Sequence, residues 1–300
     1  MIDELTQRHP VVVATGGGAV LREENRRALV RDIIDFGVVH DWEPRPVLDE
    51  VMPLVTEHSF GGVTRGLMDW WAAQEGKPRW GEKTPWHLLM HREIRAAWPD
   101  ALIVLLHRDP RDVSLSWKEA RFHGKHVQKF AESWVRHQKA AQEVLREVPE
   151  EDVIVVAYED VVRDPEGQLT RLMNFMGEDY DPVQLDFHRN ETAYQTDARN
   201  ESQLRRPISQ KSVGRWKTGL SAREIRLIET VARDEMQRLG YELASDGQSV
   251  PGWEKALVKY VEQPASRLPD VFRNRQGYMY LARDLAYKAR LYRRGRAQGA

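Results

Sequence analysis

The apolar residues of this chain gather into short runs that are bounded by turn-forming residues. The clearest run covers residues 101–106, ALIVLL, with proline and aspartate on both sides of it. A short, continuous apolar run between such bounds is typical of a strand that is buried on both faces of a parallel sheet. The run at 153–157, VIVVA, predicts a second strand of this kind, and the β-branched run at 11–15 predicts a third.

Amphipathic helical patterns fill most of the sequence between these runs. Residues 116–147 form a long amphipathic stretch, and an Asp-Pro pair opens another helix over about 165–176. Ser221 and Glu224 have the spacing of a capping box, so a helix is expected from there to Gly240. Further helices are predicted at 21–30, 41–77 and 82–98, and a polar loop over the site at 181–207. Strands that alternate with helices predict an α/β fold, a mostly parallel sheet with helices on both faces.

Composition excludes several classes of protein. The 45 Lys and Arg residues nearly balance the 46 Asp and Glu residues, so the charge gives no reason to expect a nucleic-acid partner. The absence of cysteine excludes disulfides, thiolate zinc sites and cysteine nucleophiles. No apolar run reaches the roughly 20 residues of a membrane span, and the first residues lack a signal-peptide pattern. A cytoplasmic protein is expected.

The last thirty residues are different in character. Between 271 and 300 there are eight basic residues and one acid, interleaved with Tyr and Leu, which is typical of a basic amphipathic helix. We favour the interpretation that this helix packs on the domain and exposes its basic face to solvent. The alternative is that it binds an acidic partner or an anionic membrane surface. We expect one α/β domain over 1–250, with an atypical first segment 1–40, and a basic helical extension over 251–300.

Candidate chemistry follows the end of the strand at 101–106. Arg108 stands at the strand end, and Ser116 lies eight residues later, two turns into the next predicted helix. Ligands of open α/β sheets bind just beyond the carboxyl ends of strands. An arginine and a hydroxyl near a helix start suit a phosphate dianion.

This segment resembles the sulfotransferases that use 3'-phosphoadenosine 5'-phosphosulfate (PAPS). The Arg108–Ser116 spacing, GEKTP at 81–85, VAYEDVVRDP at 156–165 and KSVGRW at 211–216 occur in the order of that family, and the resemblance covers about 41–243. It implies the P-loop-NTPase-like sulfotransferase fold and PAPS as donor, with no metal required.

The resemblance also implies roles for individual residues. Arg108 and Ser116 would hold the 3'-phosphate of the donor, Tyr158 would lie near the nucleotide, and Lys83 would lie near the transferring sulfuryl group. Lys211, Ser212 and Arg215 would close over the 3'-phosphate and adenine, with Gly214 as a hinge. For the general base, His87 and Asp41 are the candidates, and His40 is a rival.

A glycine-rich turn near the start departs from the sulfotransferase pattern. The family's usual 5'-phosphosulfate loop, a basic residue followed by Ser-Gly-Thr-Thr, is missing, and Gly16, Gly17 and Gly18 stand after the predicted strand instead. Residues 7–40 resemble a fragment of shikimate kinase without that family's nucleotide loop. The glycines either replace the phosphosulfate loop by offering backbone N–H groups, or form a structural turn.

Together these observations predict a sulfotransferase that moves a sulfuryl group from PAPS to a hydroxyl or amine of a small-molecule, glycan or peptide acceptor. Two alternatives remain open. One is a shikimate-kinase-like phosphotransferase, which the absent Walker lysine disfavours. The other is a catalytically impaired homologue that still binds the nucleotide, because the 5'-phosphosulfate loop is missing.

Overall fold

A computed structural model describes residues 22–36, 44–119, 126–189, 206–245 and 249–266. The chain divides into two compact units. The first consists of Met1–Ile103 with Asp186–Arg206, and the second of Val104–Leu185 with Pro207–Ala300.

The first unit is helical over its described residues. Its elements are α1 (Glu23–Phe36), α2 (Leu48–Val51), a 3-10 turn (Met52–Leu54), α3 (Phe60–Gln74), a second 3-10 turn (Pro85–Met90) and α4 (His91–Ala97). Ser59 caps α3 by accepting a hydrogen bond from the Gly62 backbone N–H at 2.9 Å. Val30 and Ile34 of α1 pack on Val63, Leu67 and Trp70 of α3 to form the core.

The second unit carries the sheet. Its first elements are β1 (Ile103–His107), which begins at the boundary between the units, α5 (Pro110–Glu119), α6 (Val127–Glu147), a 3-10 turn (Glu150–Asp152), β2 (Val153–Ala157), α7 (Tyr158–Arg163) and α8 (Pro165–Met176). A 3-10 turn (Pro182–Arg189) follows, and its residues from Asp186 onward belong to the first unit. The remaining elements of the second unit are a 3-10 turn (Gln210–Ser212), α9 (Trp216–Gly219), α10 (Ala222–Arg238), α11 (Gly252–Leu257), a π turn (Val258–Glu262) and α12 (Gln263–Ala265). Strands β1 and β2 pair as a small parallel sheet, which confirms the α/β class.

Several predicted elements are confirmed. The strands lie at 103–107 and 153–157, and α8 covers the predicted 165–176. The capping box at the start of α10 is complete, since Ser221 and Glu224 each accept from the other's backbone N–H. Gly240 has φ +78°, as a helix end in the left-handed region requires.

Other elements differ from the prediction. Burial alternates along β1: Leu105 is buried, whereas Val104 and Leu106 are 42% and 63% exposed, because the described sheet has only two strands and neighbours cover it incompletely. Helix α1 runs to Phe36 instead of residue 30, because Ile34 continues the buried face of Val30.

Two predicted stretches are also divided differently. The helical stretch 116–147 is two helices, α5 and α6, and part of the polar loop is the 3-10 turn Pro182–Arg189, whose Val183 N–H is capped by Asp181. The predicted strand at 11–15 and the basic stretch 271–300 lie outside the described residues.

Candidate functional site

Arg108 directly follows β1 and joins three segments of the chain. Its guanidinium donates a hydrogen bond to the backbone carbonyl of Ser212. The guanidinium carbon also lies 4.4 Å from the centroid of the Tyr158 ring, a cation–π contact. Three of the predicted site residues, which are far apart in sequence, therefore meet at the carboxyl end of the sheet.

The Tyr158 and Ser212 side chains are linked by a directed hydrogen bond. Ser212 Oγ donates to the backbone carbonyl of Ser209 at 3.0 Å, and it lies 2.7 Å from the Tyr158 hydroxyl. Because a serine hydroxyl has one proton, Tyr158 must be the donor to Ser212. The two hydroxyls are thus held in fixed orientations next to Arg108.

Arg108 retains unused hydrogen-bonding capacity. Its Nε atom is buried and has no hydrogen-bond partner among the described residues. A buried donor without a partner is unfavourable, and a phosphate oxygen is the kind of acceptor that satisfies it. The chemistry at this position fits a phosphate group.

Asp112 anchors the 211–216 segment to α5. Its two carboxylate oxygens accept from the backbone N–H of Gly214 at 2.7 Å and of Trp216 at 2.9 Å. Burial raises the pKa of Asp112, and these two hydrogen bonds only partly oppose the shift. Ser116 is one turn further along α5 and partly buried, so it lies on the same helix face as Asp112.

Arg111 is buried and pairs with Asp109. It also bonds to Glu229 of α10 at 2.8 Å, and its guanidinium lies 3.7 Å from the centroid of Trp216. Burial opposes the charge, but the hydrogen bonds to both carboxylates outweigh it and raise the pKa of Arg111. Trp216 is thus a packing residue beneath the segment.

The two remaining cations of this segment are at the surface. Lys211 is exposed, and Arg215 forms a bidentate contact with Glu119 at 2.9 and 3.0 Å. Lys211 directly precedes Ser212 and Arg215 follows it by three residues, which makes both of them candidates for contact with a ligand bound by Arg108. Arg215 would have to exchange its carboxylate for the ligand.

A second polar network supports the end of β1. Glu159 accepts from the backbone N–H of Asp109 at 2.8 Å and from the Tyr241 hydroxyl at 3.1 Å. Because that hydroxyl donates its proton to Glu159, it accepts from His107 Nδ1, 3.0 Å away. Burial lowers the pKa of His107 and raises that of Tyr241, so both groups are neutral at pH 7.

Asp112, Glu159 and Tyr241 were missed by the sequence reasoning. Their partners lie 50 to 134 residues away in sequence or contact backbone atoms, so no local pattern marks them. Asp112 lies in the first turn of α5, where acidic residues are common, so its position did not mark it either.

The candidate catalytic residues Lys83 and His87 lie together in the first unit, around the turn 82–87. Glu82 accepts from Thr84 Oγ1 at 2.7 Å, and its other oxygen lies 2.6 Å from His87 Nδ1. Lys83 is exposed and has no ion pair among the residues that the structure describes. The carboxylate of Glu82 is therefore engaged by His87 and not by Lys83.

The remaining candidates lie outside the described residues. These are Gly16, Gly17, Gly18, His40 and Asp41. Among the helices that are described, none has the length and apolarity needed to cross a bilayer.

Comparison with known proteins identifies the family. The sequence model of the sulfotransferase family matches residues 23–182 of the 300. The chain belongs to the sulfotransferase family. This confirms the first resemblance, although the match begins earlier than residue 41 and ends before the 211–216 segment.

The matches of this chain to individual relatives are distant or short. Carbohydrate sulfotransferase 2 of Mus musculus is 27% identical over 106 residues, which are 35% of this chain and 20% of the relative. A solved structure, the sulfotransferase domain from the curacin biosynthetic pathway, is 17% identical with a TM-score of 0.48, covering 81% of this chain and 84% of that one.

The resemblance to shikimate kinase is also confirmed, and it is confined to the start of the chain. The shikimate kinase family matches residues 1–36. The enzyme of Ralstonia nicotianae is 83% identical over 29 residues, 10% of this chain and 15% of the kinase. The chain thus spans one fifth or less of the curated relatives it matches.

Proposed function

We propose that this sulfotransferase uses PAPS as its donor and that Arg108 and Ser116 hold the 3'-phosphate. The observation that carries the proposal is the buried Nε of Arg108 at the end of β1, which has no hydrogen-bond partner among the described residues and lies beside the linked hydroxyls of Tyr158 and Ser212. A nucleotide phosphate would supply the missing acceptor, and Lys211 and Arg215 would add positive charge around it.

The reaction is an in-line displacement at sulfur. An acceptor oxygen or nitrogen forms a new bond to sulfur while the bond from sulfur to the 5'-phosphate oxygen breaks. The electron pair of the broken bond stays on the 5'-phosphate, which leaves as 3',5'-adenosine bisphosphate. The protein positions both partners and stabilises the developing charge, as in phosphoryl transfer.

Proton transfer and charge stabilisation are assigned in this proposal to the residues that the family resemblance implies. Lys83, exposed and without an ion pair among the described residues, stabilises the leaving oxygen. His87 accepts the acceptor's proton at Nε2, because Glu82 holds its Nδ1. Asp41 remains the rival base, and Gly16, Gly17 and Gly18 remain candidates for the 5'-phosphosulfate.

The acceptor is a hydroxyl or amine of a small molecule, glycan or peptide. Because one relative is a carbohydrate sulfotransferase, sugar hydroxyls are the first acceptors to test. The match to shikimate kinase gives no support for a phosphotransfer activity, because it covers only 15% of that enzyme. Binding of the basic stretch at 271–300 to an acidic partner or a membrane surface remains a prediction.

Calorimetric titration with 3',5'-adenosine bisphosphate and with ATP tests the proposal, followed by an assay for sulfate transfer from PAPS. The bisphosphate should bind, ATP should bind far more weakly, and Arg108→Ala should abolish bisphosphate binding. Arg163→Ala is the matched control, since Arg163 is exposed and pairs only with Asp160 among the described residues.

Three results would separate the alternatives. Bisphosphate binding without turnover on any acceptor would identify an inactive nucleotide-binding homologue. Tight ATP binding with none for the bisphosphate would favour a phosphotransferase. Unchanged affinity in Arg108→Ala would remove the site assignment.

A further inference from the structure

The backbone around Gly214 forms a small anion-binding concavity. Gly214 has φ +72°, in the left-handed region, and Arg215 follows with φ −58° and ψ −29°, in the right-handed helical region. Alternation of these two conformations turns successive N–H groups toward one point, an arrangement known as a nest. The N–H groups of Gly214 and Trp216 converge in this way.

The anion in this nest belongs to the protein itself. Each oxygen of Asp112 accepts one of the two N–H groups, and the Asp112 residue is only 2% exposed. The nest is therefore filled by a side chain, and its own N–H groups are not free for a ligand. Burying a carboxylate costs desolvation energy. This one is held by backbone N–H groups that lie 102 and 104 residues away in sequence.

The position of Asp112 connects the two halves of the candidate phosphate site. It lies on α5 four residues after Arg108 and four before Ser116. Its partners directly follow Ser212, whose carbonyl accepts from Arg108. The segment is also held by the stacking of Arg111 on Trp216, by the Arg215–Glu119 pair and by the Lys217 N–H, which donates to the Gly214 carbonyl at 3.2 Å, whereas Asp112 is the acceptor for the Gly214 and Trp216 N–H groups.

We propose that Asp112 is a positioning residue for the donor nucleotide. Its carboxylate holds the Gly214 and Trp216 N–H groups so that Lys211, Ser212 and Arg215 stand beside Arg108 before the nucleotide arrives. This inference rests on the proposed function. It adds a residue that touches no nucleotide and acts through the segment that does. Because the segment is preorganised, little ordering entropy has to be lost on binding.

Limited trypsin digestion without ligand tests the anchoring step. Trypsin can cut after Lys211 and Arg215 inside the segment, and after the exposed Arg163 outside it. In Asp112→Asn, cleavage after Lys211 and Arg215 should accelerate at least ~10-fold. The reason is that the amide of asparagine is uncharged and has one acceptor oxygen, whereas the carboxylate has two. Cleavage after Arg163 should not change, which distinguishes local release from global unfolding.

A matched control variant separates this role from helix capping in general. Asp164→Asn makes the same chemical change at another aspartate that accepts a backbone N–H, that of Gly167 at 3.1 Å. It should leave cleavage at Lys211 and Arg215, and bisphosphate affinity, at wild-type values. Asp112→Asn should raise the bisphosphate Kd and the KM for PAPS about 10-fold with kcat changed less than about 2-fold, as loss of ground-state binding predicts.

These experiments distinguish failure of the positioning role of Asp112 from failure of the proposed function. Unchanged cleavage in folded Asp112→Asn, or a lowered melting temperature with unchanged Kd, would overturn the positioning role. Failure of the wild-type protein to bind the bisphosphate would overturn the function while leaving the anchoring result intact.

Amide exchange provides the test if the variant does not fold. Hydrogen–deuterium exchange of the wild-type protein should show Gly214 and Trp216 N–H protected at least ~100-fold relative to an unstructured peptide. Exchange at the unprotected rate would overturn the anchoring.

Discussion

Arg111 of α5 and Glu229 of α10 form an ion pair with 2.8 Å between Arg111 Nη1 and Glu229 Oε1, and both side chains are almost completely buried. Glu229 also accepts from the backbone N–H groups of Ala244 and Ser245, each at 2.9 Å. The pair therefore ties the helix that begins beside Arg108 to the chain that follows α10. Breaking such a pair leaves an uncompensated buried charge.

Glu229→Ala should lower the free energy of unfolding by about 3–5 kcal/mol, because it leaves Arg111 with Asp109 as its one carboxylate partner among the described residues and deprives two backbone N–H groups of their acceptor. Urea denaturation at pH 7 measures the change. Asp160→Ala, which breaks the exposed pair with Arg163, is the control and should cost less than about 1 kcal/mol. Equal effects of the two substitutions would contradict the importance of the buried pair.

The same carboxylate should make stability depend on acid pH. Burial raises the pKa of Glu229, but hydrogen bonds from Ser245, Ala244 and Arg111 outweigh it and hold the pKa below its ordinary value. A carboxylate with a lowered folded-state pKa contributes stability that is present above about pH 4.3 and lost as pH falls through the folded-state value. Urea midpoints measured from pH 6 to pH 3 should fall less steeply in Glu229→Gln than in the wild-type protein.

Nucleotide affinity should also depend on acid pH. Burial raises the pKa of Asp112, and Asp109 adds to the shift while the hydrogen bonds from Trp216 and Gly214 and the charge of Arg108 oppose it, so Asp112 takes up its proton at a higher pH than an ordinary aspartate. Protonation removes the charge that holds the 211–216 segment. The affinity advantage of the wild-type protein over Asp112→Asn for the bisphosphate should shrink between neutral pH and about pH 4 while both stay folded. A constant ratio over that range would argue against the assignment.

Tyr158→Phe should weaken the bisphosphate affinity only moderately. The ring beneath Arg108 is retained, and the lost group is one hydroxyl that donates to Ser212 Oγ. One neutral hydrogen bond contributes about 1 kcal/mol, so a roughly 5-fold rise in Kd is expected by calorimetry. Tyr158→Ala also removes the cation–π contact and should weaken binding further. Identical affinities for the two variants would show that the ring does not matter.

His87→Gln should lower kcat by about 10²–10⁴-fold without changing the bisphosphate Kd, if His87 accepts the acceptor's proton. Glu82→Gln should lower kcat less, about 10-fold, because the imidazole is retained and only its orientation is lost. Single-turnover sulfate transfer at saturating PAPS measures both. An unaffected kcat in His87→Gln would transfer the role of base to Asp41.

Local patterns predicted the elements of the second unit well. The capping box of α10 and the Asp-Pro start of α8 are properties of neighbouring residues, and both helices begin where the sequence indicates. The family motifs brought Arg108, Tyr158 and Ser212 into one hypothesis, and the structure places these three side chains together.

Features that depend on distant neighbours were not predictable in the same way. The exposure of Leu106 depends on what covers the sheet, and the six apolar residues at 101–106 look the same whether a face is covered or open. The pairing of Asp112 with Gly214 depends on a nest made by backbone conformation 102 residues later. Side-chain chemistry alone does not encode such a contact.

The long sequence separation between Asp112 and its backbone partners also affects synthesis. At about 5–20 residues per second, a ribosome needs roughly 5–20 s after finishing α5 to produce Gly214 and Trp216. During that interval the carboxylate and Arg108 have none of their late contacts. The candidate phosphate site can therefore be assembled only after residue 216 has been synthesised, and a premature stop before residue 214 would yield a chain with β1 and α5 but without the backbone partners of Asp112.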